Sequence, residues 1–342
     1  MRTPGVDTPV PTRRLMLAAA VGSFASAVSL RDRALAQAIN RPAADRPVRV
    51  IVGFAAGGGT DLIARLLADK LRGRYASAVL VENKAGAAAR IAVETVKNAE
   101  PDGSVMLFTP DFPLTVYPHS FRSLSYDPLR DLASVAPVAK SMLTYNIGSA
   151  VPEGVKTLAA FVQWCRDNPG RASYATTAAG GTPHFVGVML ASAAGLAMTP
   201  VHYRGGAPAL QDLLGGHVPA SINPISEALP HAKTGALRML AVTGARRSPF
   251  LPDIPTMTET GYPVAVDSWL GVFVPARTPH DVVSLLSAAI GEAVKSPDMV
   301  EQLAKLGNEP AFETPGQFAA MVRADLARWG PVVKASGFVA QD

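Results

Sequence analysis

The sequence predicts an α/β protein of two domains, and three observations predict it. Apolar, β-branched runs alternate with segments of helical period between residues 47 and 243. Glycine-rich turns follow several of those runs directly, and 342 residues exceed what one hydrophobic core normally holds.

Each element follows from local pattern. Pro47-Val-Arg-Val-Ile-Val-Gly-Phe54 is an apolar run bounded by glycine and reads as a buried strand. From Thr60 the period changes: Leu62, Ile63, Leu66, Leu67 and Leu71 recur at helical spacing, and Gly73 marks the stop. The alternation continues as strand 78–82, helix 87–97 and strand 104–109. It resumes as strand 172–175, helix 184–194, strand 199–203, helix 207–214, strand 218–222 and strand 237–243. Such order predicts parallel sheets covered by helices on both faces. Extended segments near 141–148 and 264–274 are expected to carry the chain from one domain to the other.

The last third turns helical. Ser296 and Pro297 start a helix carrying Val300, Leu303 and Leu306, which Gly307 ends. Thr314 and Gln317 have capping-box spacing, and behind them Phe318, Met321, Val322, Leu326, Trp329 and Val333 form one apolar stripe assigned to the core.

Residues 1–36 read as an export signal. Arg13 and Arg14 precede an uncharged run over 15–30, and Ala34-Leu35-Ala36 offers a small-x-small cleavage site, so the mature chain is expected from Gln37. The paired arginines resemble a twin-arginine signal, and a general secretory signal stays open. The run is shorter than the roughly 20 residues a span needs, and no other candidate span follows. The signal holds five of the 32 basic and two of the 27 acidic residues, which leaves 27 against 25, or +2. That balance excludes the concentrated basic charge of a nucleic-acid binder. A lone Cys165 excludes an intrachain disulfide and is expected as a small buried hydrophobe.

Reactive constellations are missing. Gly57-Gly58-Gly59-Thr60-Asp61 lacks both the G-x-G-x-x-G spacing of a dinucleotide site and the Lys-Ser/Thr end of a P-loop. There is no G-x-S-x-G elbow. His119, His184, His202, His217, His231 and His280 fall in no metal-binding spacing, and one cysteine cannot build a common zinc site. No cofactor and no metal are expected.

What the sequence offers instead is polar, glycine-rich turns after strands, where open α/β sheets bind ligands and helix N-termini present unpaired N–H groups. The first spans Phe54 to Asp61 and contributes Phe54, Gly57, Gly58, Thr60 and Asp61, with helix capping by Thr60 or Asp61 as the competing role. The second runs from Thr176 to His184 and contributes Thr176, Thr177, Gly181, Thr182 and His184, with Thr182 expected as an N-cap. The third holds Arg204 beside Gly205 and Gly206, placed to clamp a carboxylate. Asn223, after strand 218–222, and Thr109, at the end of strand 104–109, complete the candidate ligand set.

Taken in order, these residues resemble the periplasmic solute receptors of tripartite tricarboxylate transporters, also called the Bug family. The resemblance runs from about Pro47 to the C-terminus. It rests on Val52-Gly-Phe-Ala-Ala-Gly-Gly-Gly-Thr-Asp61, Val81-Glu-Asn-Lys-Ala-Gly86, Pro101-Asp-Gly103, Tyr126-Asp-Pro128, Gly181-Thr-Pro-His184 and Tyr203-Arg-Gly-Gly-Ala207 with Asp212-Leu-Leu-Gly-Gly216. Leu251-Pro-Asp-Ile-Pro-Thr256, Gly261-Tyr-Pro263 and Trp269 follow.

The resemblance implies a two-lobed, type II-like periplasmic binding protein with the ligand between the lobes. Residues 45–145 plus 267–342 would form lobe 1 and 146–266 lobe 2. It implies a monomeric, non-enzymatic receptor in a Gram-negative periplasm that takes a small organic carboxylate, closes over it and presents it to membrane transporter subunits. A sensor feeding a signalling receptor remains an alternative, as does an exported enzyme using His184, His202 or Asp61 as acid or base. Four departures stand out: Ala55-Ala56 where the family usually has Pro-Pro, Ala87-Ala88-Ala89 in a glycine-rich stretch, Val188 where glutamate is common, and Asn223 where aspartate is common. Losing the aspartate charge points away from amino acids as ligands.

Overall fold

A computed structural model describes residues 46–340. The expected export signal lies outside the described residues. The strands are β1 (Val48–Val52), β2 (Val79–Asn83), β3 (Val105–Pro110), β4 (Leu132–Ser141), β5 (Leu143–Ile147), β6 (Ser173–Thr176), β7 (Thr199–His202), β8 (Ala220–Pro224), β9 (Arg238–Val242), β10 (Ser268–Pro275) and β11 (Glu309–Pro310). They form two sheets, ordered β11-β4-β10-β3-β1-β2 and β7-β6-β8-β5-β9.

The sheets are mixed, which corrects the parallel expectation. β1 runs parallel to β2 and β3, and β6 parallel to β7 and β8. β10 is antiparallel to β3 and β4, and β5 is antiparallel to β8 and β9. The cause is the crossing itself. β4 passes into β5 through Met142 alone, one extended run that belongs to both sheets, and β10 brings the chain back beside β4. A strand that enters a sheet from outside its βα units has no crossover helix to make it parallel. β5 lies wholly in the second sheet, so the chain changes sheets at Met142 and not at the expected 145/146 boundary.

Side-chain alternation decides the cores. In β1, Val48, Val50 and Val52 face a cluster with Ile63, Leu67 and Leu71 of the helix Gly59–Leu71 and Leu286 and Ile290 of the helix His280–Lys295. Ile51 faces the other way, toward Val93, Phe273 and Phe318. The second sheet packs Tyr145, Tyr174 and Ile222 against the helices Leu158–Asp167 and Thr182–Ala194. On its far face the helices Gly206–Leu214 and Ile225–Lys233 cover Ala175 and Val242.

The second core also takes Phe112, Val116, Tyr117, Trp329 and Val333, residues assigned from sequence to lobe 1. The final helix, Pro315–Ser336, therefore spans both sheets: Phe318 packs on Trp269 and Phe273, and Trp329 on Phe185. Its start has the expected capping box between Thr314 and Gln317. Cys165 is 1% exposed in that core, and burial pushes its thiol up to about 12, so it packs as an unreactive side chain.

The helix expected from residue 87 begins at Arg90 instead. Ala87, Ala88 and Ala89 stand at φ 44°, 53° and 72°, the left-handed region where a Cβ crowds its own carbonyl. A methyl on Gly53 would come 2.4 Å from Ala89 Cβ, so the strained turn is wedged against the first strand. Replacing Ala88 by glycine removes one such clash and should raise stability by about 1 kcal/mol. Urea unfolding of Ala88→Gly beside the parent reads this directly. An unchanged or lower midpoint would mean the turn carries no strain.

Candidate functional site

Four helices begin at one place. Gly59–Leu71 follows β1, Thr182–Ala194 follows β6, Gly206–Leu214 follows β7 and Ile225–Lys233 follows β8. Their N-caps are Gly58, Gly181, Gly205 and Pro224, and in none of the four does the N-cap residue's own side chain cap the helix. The structure thus corrects the expectation that Thr182 is an N-cap, and it gives none of Thr60, Asp61 or Asn223 that role. Residues from all four starts line one cavity, part of it open to solvent, together with Phe54, Ala55, Ala56, Pro110, Phe112, Ser141, Leu143, Ser268 and Leu270.

Of the residues chosen from sequence, Phe54, Gly58, Thr60, Thr177, Thr182 and Arg204 line this cavity. Gly57, Asp61, Thr109, Thr176, Gly181, His184 and Asn223 do not.

Asp61 is the clearest case. Its carboxylate, 1% exposed, accepts from the Gly57 N–H at 2.8 Å, from Arg65 Nε at 2.9 Å and from Asn83 Nδ2 at 2.8 Å. It ties the glycine turn to its helix and to β2. Burial alone would raise its pKa, but the hydrogen bonds from Arg65, Gly57 and Asn83 outweigh burial and hold it below the usual carboxylate range.

His184 is 2% exposed; its Nδ1 accepts from the Gly180 N–H at 3.2 Å, and its ring packs on Phe338. Burial, with His202 beside it, lowers its pKa to about 4, so the ring is neutral near pH 7. Thr176 Oγ1 donates to the Ala178 carbonyl and closes the same turn. Thr109 is buried with its hydroxyl unpartnered. At Gly181 an added methyl would lie 3.1 Å from the Phe112 ring, so the turn packs closely on that side chain.

Thr182 leads to a residue the sequence reading missed. Its Oγ1 donates to Asp111 Oδ2 at 2.9 Å, and Ser268 Oγ donates to Asp111 Oδ1 at 2.5 Å. Asp111 is 1% exposed. Burial raises its pKa to about 6 against the pull of those two hydroxyls. It joins β3's end, β10's start and the helix that follows β6. The rule that ligand loops follow strand ends would have flagged it, two residues beyond strand 104–109.

Glu227 was missed as well. It lines the cavity, accepts from Asn223 Nδ2 at 3.1 Å, and lies so close to Gly206 that an added methyl would meet Oε2 at 1.7 Å. Burial raises its pKa, opposed by hydrogen bonds from Asn223 and the Gly59 N–H. Spacing was the available signal: Asn223 and Glu227 are four apart at a helix start. Arg204 is exposed and makes no ion pair among the described residues. Across the cleft the two sheets' loops touch, since a methyl on Gly59 would lie 2.4 Å from Ser226 Oγ.

Two sheets, a double connection and uncapped helix starts around a cavity define a two-lobed solute-binding protein. Known proteins agree. The model of the tripartite tricarboxylate transporter family receptor matches residues 63–338. Protein BugT of Bordetella pertussis is 34% identical over 294 residues, 85% of this chain and 90% of the relative. Among solved structures, R. palustris Rpa4515 with adipate superposes at TM-score 0.82 with 30% identity, over 86% of this chain and 98% of that one. The periplasmic binding protein BugD gives 0.81, 30%, 87% and 99%. MatC of Rhodopseudomonas palustris with bound malate gives 0.79, 28%, 84% and 99%. This chain belongs to the tripartite tricarboxylate transporter receptor family.

Two buried carboxylates set the pH behaviour. Asp61→Ala leaves the Gly57 N–H, Asn83 and Arg65 without their acceptor and should cost about 2–4 kcal/mol of stability. Because the folded pKa of Asp61 is depressed, its contribution is present above the unfolded value and lost as pH falls through the folded one. The gap between variant and parent, measured by denaturant unfolding, should therefore shrink below about pH 4. Asp111 has the opposite sign. Its folded pKa lies above its unfolded value, so its stabilising contribution is complete below about pH 4 and lost as pH rises through 6. Asp111→Asn should match the parent near pH 4 and exceed it at pH 7, by no more than about 3 kcal/mol. A stability difference independent of pH would exclude an elevated Asp111 pKa.

Proposed function

We propose that this protein is an exported periplasmic receptor, not an enzyme, that captures a small carboxylate by closing two lobes and presents it to membrane transporter subunits as a monomer. One observation carries the reading: four uncapped helix starts from both sheets meet at a single cavity with unpaired Arg204 at its wall. Each start presents the positive end of a helix dipole, and although the Gly59 N–H bonds Glu227 and the Ile225 N–H bonds the Met142 carbonyl, an anion suits the remaining amides and the dipoles. A carboxylate docked between them contacts both lobes at once. It therefore binds the closed state better than the open one, which is the condition for driving closure.

The names of two relatives support the ligand class, since Rpa4515 was solved with adipate and MatC with malate. BugD, described as a periplasmic binding protein, supports the compartment, as does the charge pattern of residues 1–36. The absence of an enzyme role is supported by the site chemistry: the strongest acid–base candidates, His184 and Asp61, are turned into the turns they hold and do not line the cavity.

Mass spectrometry of co-purified ligand and a thermal-shift panel of mono-, di- and tricarboxylates test the reading. A ligand at 100 times its Kd should stabilise the protein by about 2.7 kcal/mol and be returned unchanged. Arg204→Ala should weaken that ligand at least tenfold, about 1.4 kcal/mol, without moving the melting point of the free protein. Silence across the whole panel on folded protein would reject carboxylate capture, and turnover of any member would reject the receptor.

A further inference from the structure

The cavity carries acceptors as well as the donors a carboxylate needs. Glu227 brings a carboxylate into it, next to Gly206 and the Gly58–Gly59 turn. Thr182 and Ser268 also line it, and both hydroxyl protons are committed to Asp111, so each oxygen has only acceptor capacity left. Asn223, whose missing charge pointed away from amino acids, instead holds Glu227 in place through its Nδ2.

We propose that Glu227 is a specificity determinant, selecting a monocarboxylate that carries a second, hydrogen-bond-donating group, an ammonium or a hydroxyl, and rejecting dicarboxylates. This rests on the carboxylate reading of the cleft. The helix starts and Arg204 take the ligand's carboxylate, and Glu227 with the two oxygen lone pairs takes the donor. A dicarboxylate would set its second carboxylate against Glu227, a like-charge contact with little water between to screen it. A plain alkanoate would leave Glu227 desolvated with only its Asn223 and Gly59 donors and nothing from the ligand. Discrimination by a buried group left unpaired is stronger than discrimination by fit alone.

Isothermal titration with matched chains separates the cases: succinate, 4-hydroxybutyrate and 4-aminobutyrate at four carbons, and adipate, 6-hydroxyhexanoate, 6-aminohexanoate and hexanoate at six. For at least one length the parent should bind the hydroxy or amino acid tenfold or more tightly than the dicarboxylate. Glu227→Gln should reduce that ratio at least tenfold, raising dicarboxylate affinity and, if the donor is ammonium, lowering that of the amino acid. Hydroxy and amino arms distinguish the two donors. A parent that prefers the dicarboxylate, or a ratio unmoved in Glu227→Gln, overturns the assignment while leaving carboxylate capture intact. The parent's own ratio decides the matter even if the variant does not fold. Failure of every compound to bind the parent would overturn capture and selectivity together.

Discussion

Everything at the cleft depends on four strand-to-helix turns aimed at one point. A helix start without a side-chain cap leaves backbone N–H groups that water or a ligand must satisfy. One such start is unremarkable in a surface loop. Four of them, beginning at Gly59, Thr182, Gly206 and Ile225 and drawn from two sheets, make a concentrated region of positive potential inside a cavity lined mainly by apolar side chains. The low dielectric strengthens each N–H contact, and the small residues at 55–59 and 205–207 keep side chains from filling the space.

Holding those turns in place uses buried carboxylates that never reach the cavity. Asp61 gathers Gly57, Arg65 and Asn83, and the charge is stable because each oxygen is hydrogen-bonded. Asp111 does comparable work between β3, β10 and the helix after β6, with only two hydroxyl donors, which is why burial wins there and its pKa rises. Asp61 sits nearer the surface with a cation among its donors, whereas Asp111 lies deep with two hydroxyls, and together depth and donor set send their shifts in opposite directions. Glu227, raised by burial like Asp111 and held by Asn223 and the Gly59 N–H, differs in lining the cavity itself.

The lobes are less separate than the order of the chain implies. Phe112, Tyr117 and Trp329 belong by sequence to the first lobe but pack in the core of the second, and the last helix bridges both sheets. A packed aromatic row, from Phe112 through Tyr117 to Phe121, runs on from the end of β3 and joins the two cores.

Sequence alone determined the alternation of strands and helices, the glycine turns at strand ends, the core stripe of the last helix and the family resemblance, because these depend on neighbours a few residues apart. It placed Phe54, Gly58, Thr60, Thr177, Thr182 and Arg204 at the cavity because a turn after a strand is a local pattern. Tertiary structure alone decided that Asp61 and His184 face away, that Asp111 gathers Thr182 from 71 positions and Ser268 from 157 positions further along the chain, and that Glu227 enters the cleft. It also turned expected parallel sheets into mixed ones, since strand direction follows from where the chain crosses between sheets. The physical reason is common to all of these: which way a polar side chain turns is set by partners distant in sequence, and no local period encodes them.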